Sequence, residues 1–160
     1  MTFSPTFADL SPTFSRFVGM VAERGAYGVV SDMRGLILIG EDPNGDCRLP
    51  GGRQEKDESP RDALTREARE EVGWSIEIGQ PLGRSLVIVR DGAGVVAARY
   101  YRAAPLQVVN EAPEYRAWWL SPEEAIRNLH RDGDRQAIEW ACSGRAGDAS
   151  TMPLLSAYPG

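Results

Sequence analysis

Cysteine is scarce in this 160-residue chain: Cys47 and Cys142 stand far apart, outside any metal-ligand or paired-cysteine spacing. That excludes a disulfide scaffold and reads as ordinary thiols of a reducing compartment. Long apolar runs are missing as well, none approaching the roughly 18 to 20 residues that span a bilayer. The N-terminus has no basic and apolar leader, since Asp9 and several Ser, Thr and Pro residues interrupt it. A cytoplasmic protein with no membrane partner is expected. Positive charge is also in deficit: 18 Lys and Arg against 23 Asp and Glu leave a net charge of -5. Nothing therefore draws in a nucleic-acid polymer, and a small anionic ligand held locally fits better. No G-x-G-x-x-G follows a strand, and Gly51-Gly52 lacks the Lys-Ser/Thr ending of a phosphate-binding P-loop.

What is present suits one globular domain, with 42% hydrophobic and 26% charged residues. Ser11 and Pro12 start a helix pattern carrying Phe14, Phe17, Val18 and Val21 on one face, and Gly25 ends it. The spacing predicts strands at Tyr27 to Val30 and Leu36 to Ile39 joined by a hairpin turn, then a brief strand from Arg48 into a glycine turn at Gly51-Gly52. A helix over about Ser59 to Val72 follows. Strands at Leu86 to Val89 and Val95 to Arg102 flank a second hairpin at Asp91 to Gly94. Alternation places Arg99 and Tyr101 on one side of the later strand and Tyr100 and Arg102 on the other. A strand at Tyr115 to Leu120, a short helix opened by Ser121-Pro122, and a helix over about Asp134 to Cys142 complete the pattern. Residues 1–24 are thus read as an arm and helix, 25–142 as the domain, and 143–160 as a loosely held tail. A mixed sheet with helices on both faces is the expected architecture.

The segment from Gly52 to Trp74 carries the chemistry. Ser59 can cap its helix, Pro60 suits the first turn, Asp62 completes a capping box, and Gly73 suits a left-handed exit. At 100° per residue, Glu67, Glu70 and Glu71 share an arc beside the apolar stripe of Leu64, Ala68 and Val72. Like charges at this spacing repel, so a cation must compensate. Arg66 can bridge Glu70 to Glu58. A hard divalent ion can also serve, because Mg²⁺ favours carboxylate oxygens together with water and phosphate oxygens; the Gly51 carbonyl offers one more hard ligand. The competing reading is an exposed acidic helix face with surface salt bridges.

The full spacing matches G-x5-E-x7-R-E-U-x-E-E-x-G-U, with Gly52, Glu58, Arg66, Glu67, Glu70, Glu71 and Gly73 at the fixed positions. Ordinary residue frequencies would produce such a match in about one sequence in a million. The segment resembles the Nudix box, and the resemblance extends to Leu49-Pro50-Gly51-Gly52 before it and Trp119 to Ala125 after it. Ala68 and Trp74 depart from the family's aliphatic positions, which concerns packing alone.

The resemblance implies a Nudix-type α/β/α sandwich with a mixed sheet and a catalytic loop-helix-loop. It also implies hydrolysis of the pyrophosphate in a nucleoside diphosphate linked to another group, with Mg²⁺ or Mn²⁺ on the box glutamates. Carried over, the metal ligands are Gly51, Glu67, Glu70 and Glu71, and the catalytic set is Glu67, Glu70, Arg66 and Glu58. The general base is Glu67 or Glu70, or a loop acid, Glu111 or Glu114. Arg48, Arg53, Arg99, Tyr101 and Glu114 are the substrate-binding candidates, with Arg84, Arg102, Tyr27, Tyr100 and Trp118 behind them. A nucleoside triphosphate, as in MutT-like enzymes, is the first expectation. Nucleotide sugars, ADP-ribose or dinucleoside polyphosphates come second, and a non-catalytic nucleotide-sensing module third. A monomer or a homodimer is expected.

Overall fold

The computed structural model describes residues 21–88, 95–144 and 154–157, of which 21, 22, 87, 88 and 154–157 are described by backbone alone. Strand β1 (Val21–Val30) pairs antiparallel with β4 (Gly51–Arg53) and parallel with β6 (Val95–Val108). β6 continues the sheet to β5 (Trp74–Ile88), and β8 (Leu154–Ala157) lies parallel on the far edge, giving the order β4-β1-β6-β5-β8. Register shifts along β5 cluster around Pro81, which has no N–H to give to the ladder. A second, antiparallel sheet has the order β3-β2-β7, from Cys47–Arg48, Ile37–Glu41 and Arg116–Leu120.

Three helices are described: α1 (Pro60–Glu71), α2 (Pro122–Asn128) and α3 (Asp132–Cys142). Alternation along the strands of the larger sheet feeds two cores. Ala26, Val30, Tyr101 and Ala103 meet Leu64, Ala68 and Val72 at the α1 side. Tyr27, Val29, Val96, Ala98 and Tyr100 meet Ala137, Ile138 and Trp140 of α3. Helices thus cover both faces of a mixed sheet, the expected α/β/α sandwich. Among the described residues no helix is long and apolar enough to cross a membrane.

Four local expectations change. The helix pattern expected to end at Gly25 gives way to strand from Val21, because both edges of β1 find ladder partners, Gly25 pairing with Arg53 and with Ala98; positions 11–20 lie outside the described residues. The runs around Val30 and Ile37 are not a hairpin. With both edges of β1 occupied, β2 leaves to pair with β3 and β7, and only an isolated bridge, Ser31 to Ile37, joins the two. Gly51-Gly52 is strand rather than turn, with Gly52 opposite Ala26. Within the tail, Leu154–Ala157 pairs with Ser85 to Ile88. The hairpin at Asp91 to Gly94 lies outside the described residues.

Candidate active site

The helix that carries the acids is fixed at both ends. Ser59 Oγ accepts the Asp62 N–H at 3.0 Å, and Pro60 occupies the first turn, where no N–H is needed. Gly73 exits at φ 81°, and its N–H reaches the Ala68 carbonyl at 3.0 Å. A Cβ on Gly73 would stand 2.3 Å from the Asn110 carbonyl oxygen. Glycine is therefore needed both for the turn and for the close approach of the loop before β7.

That loop is stitched to the end of α1. The N–H groups of Val109 and Asn110 reach the Gly73 carbonyl, Glu114 N–H reaches Glu70, and Tyr115 N–H reaches Glu71, at 2.8 to 3.2 Å. These bonds satisfy carbonyls that a helix end leaves open. They also hold Glu114 near the acidic arc, where its charge helps to raise the Glu67 pKa.

Arg66 works as a clamp. Its Nε and Nη2 meet the two Glu58 oxygens at 2.8 and 2.9 Å, Nη2 also reaches the Arg53 carbonyl at 3.1 Å, and Nη1 touches Glu67 at 3.0 Å and Glu70 at 3.4 Å. One planar guanidinium thus ties the loop before α1 to the helix. The Arg66 hydrogen bonds hold the Glu58 carboxyl down at about 2, and the Glu58 bonds in turn raise the Arg66 pKa.

Glu67 and Glu71 are set against the glycine strand. Glu71 is 3% exposed, and its Oε1 accepts the Gly51 N–H at 3.1 Å, with Tyr115 as a second hydrogen-bond partner. Burial pushes this carboxyl up to about 8, against the pull of the Gly51 and Tyr115 bonds. Glu67 is raised too, chiefly by burial, with Glu70 and Glu114 adding to the shift and Arg66 opposing it. A Cβ on Gly52 would lie 2.6 Å from the Glu67 carboxylate, and one on Gly51, whose φ is 141°, only 2.2 Å from the Ala26 carbonyl oxygen. Both glycines are demanded by approach, the first to a side chain and the second to backbone.

Burial raises both carboxyls even though Arg66 stands 3.0 Å from Glu67. Among the described residues no three Asp, Glu, His or Cys side chains form a ready cation cage. Mg²⁺ needs no such cage, since it keeps several waters and takes one or two carboxylates plus phosphate oxygens. Glu67 and Glu71 supply the one or two carboxyls that such an ion would take, and Glu70 lies more exposed, 3.4 Å from Arg66.

The other expected residues scatter. Arg48 pairs with the buried Asp42 at 2.6 Å, and its charge acts on Tyr115. Arg53 is exposed, bonded to Glu23 at 2.7 Å, and lines a polar cleft of about 570 Å³ with Arg24, Lys56 and Glu58. Arg99 is exposed on β6, opposite Arg84 in the ladder. Tyr101 is 6% exposed in the core against α1, with the Arg61 guanidinium 5.0 Å above its ring. Its ring packs the core and is closed to stacking, as are those of Tyr27 and Tyr100. Trp118 remains exposed, under Arg116.

A buried polar group escaped the sequence reading. Asp134, fully buried, accepts the Leu49 N–H at 3.1 Å and the Tyr100 hydroxyl at 3.2 Å. Tyr100 in turn accepts from Ser85 at 3.3 Å, and Arg131 Nε lies 3.4 Å from Asp134 with its guanidinium 4.6 Å over the Tyr27 ring. The only local signal was an acid near a helix start, which reads as capping.

Comparison with known proteins adds three likenesses and a family. Residues 22–141 match the NUDIX domain family. A MutT-like protein of Streptomyces ambofaciens is 30% identical over 103 residues, the match covering 63% of this chain and 64% of that one. This chain thus spans less than two thirds of that relative. A CTP pyrophosphohydrolase of Escherichia coli K12 is 32% identical over 100 residues, 58% of this chain and 72% of the relative. The solution structure of the E. coli ORF135 protein superposes with a TM-score of 0.64 at 26% identity, covering 81% of this chain and 95% of that one.

Proposed function

The chain belongs to the NUDIX domain family, and from that premise we propose that it is a divalent-metal pyrophosphohydrolase of nucleoside triphosphates. The observation that carries this reading is the pair of acids, Glu67 and Glu71, packed on Gly51-Gly52 with their carboxyls raised by burial and the Arg66–Glu58 clamp beside them. A stability role alone accounts poorly for such a set, since buried acids cost free energy unless a cation joins them. The triphosphate preference draws on the intact acidic set and on the relatives named MutT-like protein and CTP pyrophosphohydrolase.

Glu67 and Glu71, with Glu70 and the Gly51 carbonyl, would hold Mg²⁺ or Mn²⁺. Bound there, the ion supplies charge neutralisation on phosphate oxygens and polarises water. Glu58 acts through Arg66, whose Nε and Nη2 it fixes so that Nη1 holds Glu67 and Glu70 in place as substrate enters. Glu70, half exposed and only 3.4 Å from Arg66, is the residue assigned to take the proton from the attacking water. Glu114 is the second choice, favoured by its fixed place next to Glu67. Arg53, at the rim of the polar cleft, meets the outer phosphates. The compartment consistent with two free thiols is the cytoplasm.

The deciding experiment is phosphate and pyrophosphate release from a panel of nucleoside triphosphates, ADP-ribose, dinucleoside polyphosphates and nucleotide sugars, with Mg²⁺, Mn²⁺ or EDTA. Metal-dependent turnover of triphosphates is expected, lowered at least about tenfold in Glu70→Gln. Nucleotide binding without turnover would instead support a sensing module, and turnover of only a sugar nucleotide or ADP-ribose would move the substrate class.

A further inference from the structure

We propose that Arg131 and Asp134, on the side of the sheet away from α1, are positioning residues that hold the glycine strand in register with the metal-binding acids. The inference rests on the reading of Glu67 and Glu71 as metal ligands. Its starting point is the bonding of the three residues before Gly52. Leu49 N–H goes to Asp134 at 3.1 Å, the Pro50 carbonyl accepts Gly28 N–H at 2.9 Å, and Gly51 N–H goes to Glu71 at 3.1 Å. Each contact comes from a different element: α3, β1 and α1.

Two of these three anchors are buried carboxylates, and they grip the segment from opposite ends. Glu71 is itself a metal-ligand candidate, so anything that lets residues 49–51 slide also alters the contact that aims it. Gly52 follows at once, packed so closely on Glu67 that a methyl group there would push its carboxylate aside. Displacement at Leu49 is thereby passed through two residues to both acids.

The cost of this arrangement argues against simple packing. Arg131 and Asp134 are 1% and 0% exposed, and Glu71 is 3% exposed. Replacing a buried ion pair by apolar side chains of similar size is often neutral or stabilising, so stability by itself gives no reason to keep one. What a carboxylate offers here, and an apolar group does not, is a directional acceptor for Leu49 N–H. Arg131 Nε lies 3.4 Å from Asp134, and its guanidinium stacks on Tyr27, the ladder partner of Gly51. The packing leaves no slack around the pair: a Cβ on Gly133 would meet the Tyr100 hydroxyl at 2.5 Å and Ser85 Oγ at 2.8 Å. Residues behind metal ligands typically change metal affinity by about 10- to 100-fold when removed.

The test measures Mn²⁺ binding to the metal-free full chain by electron paramagnetic resonance, with no nucleotide present, for wild type, Asp134→Asn, Arg131→Met and Gly133→Ala. Thermal unfolding, Mg²⁺ half-saturation of turnover and preference among the four bases are recorded for the same proteins. Positioning predicts Mn²⁺ binding weakened about tenfold in each variant and a matching rise in Mg²⁺ half-saturation. Base preference stays unchanged. The doubly apolar variant Arg131→Met with Asp134→Leu removes the acceptor of the Leu49 N–H and the Tyr100 hydroxyl, so its unfolding temperature should fall, and Mn²⁺ binding measured well below that temperature should still be weak. Wild-type Mn²⁺ affinity in the variants, with only the unfolding temperature lowered, would overturn the proposal in favour of a structural role. Altered base preference at unchanged Mn²⁺ affinity would overturn it in favour of direct nucleotide contact. Failure of wild type to bind Mn²⁺, with or without a nucleotide, would instead remove the metal reading on which it stands.

Discussion

Substitution of the two neighbouring glycines by alanine should separate activity from stability. In Gly52→Ala the new methyl would sit 2.6 Å from the Glu67 carboxylate, so that group must give by about 0.8 Å to reach an ordinary contact of 3.4 Å. The clash is with the end of a flexible side chain, and Gly52 does not have a left-handed φ. The fold therefore loses only about 1 kcal/mol, a few degrees of unfolding temperature. The metal site loses more, because a displacement near 1 Å at a reacting centre costs on the order of 100-fold in rate. In Gly51→Ala the methyl meets the Ala26 carbonyl at 2.2 Å and the Tyr27 Cα at 2.6 Å, at φ 141°. Backbone cannot swing aside, so the β1–β4 pairing must open, at a cost of several kcal/mol. Scanning calorimetry paired with Mg²⁺-dependent pyrophosphate release measures both effects. A Gly52→Ala protein that turns over within about twofold of wild type at the same Mg²⁺ concentration would refute the placement of Glu67 at the metal.

Three further outcomes follow from the same geometry. Arg66→Lys gives up the paired bonds to Glu58 at 2.8 and 2.9 Å and should lower turnover at least about tenfold with a modest loss of stability; unchanged kcat would show that the clamp is dispensable. Glu71 makes the metal-free protein pH-sensitive: its folded pKa of about 8 lies above the ordinary 4.5, so the native state binds the extra proton between these values. That stabilisation is full below about pH 4.5 and is lost as pH rises through about 8, so in EDTA the unfolding temperature should fall over this window and Glu71→Gln should flatten the trend. Added Mg²⁺ should stabilise most at the alkaline end, where the carboxylate is ionised; stabilisation independent of pH would contradict this. Tyr101→Phe keeps the buried ring under Arg61 and should leave KM within about twofold, and a large rise in KM would restore Tyr101 to the substrate pocket.

Much of the site was legible in the chain because its logic is local. The spacing of Glu58, Arg66, Glu67, Glu70 and Glu71 sets which acids share a helix face, and Ser59, Pro60 and Gly73 bound that helix through interactions within a turn or two. The contact of Arg66 with both Glu58 and Glu70 needed only helix geometry and the reach of a guanidinium. Alternation along β6 likewise sorted Tyr100 from Tyr101, though not how deeply each would be covered.

Choices among distant partners were left to tertiary structure. Nothing near Val30 says that β1 will take β4 and β6 and send β2 to another sheet, since a strand's pairing is decided by which edges remain open once the chain has folded. Nor does Asp134 announce its bond to Leu49, 85 positions away. Sequence patterns report the period of a helix or strand; burial and long-range hydrogen bonds depend on which surfaces meet, and only the packed molecule decides that.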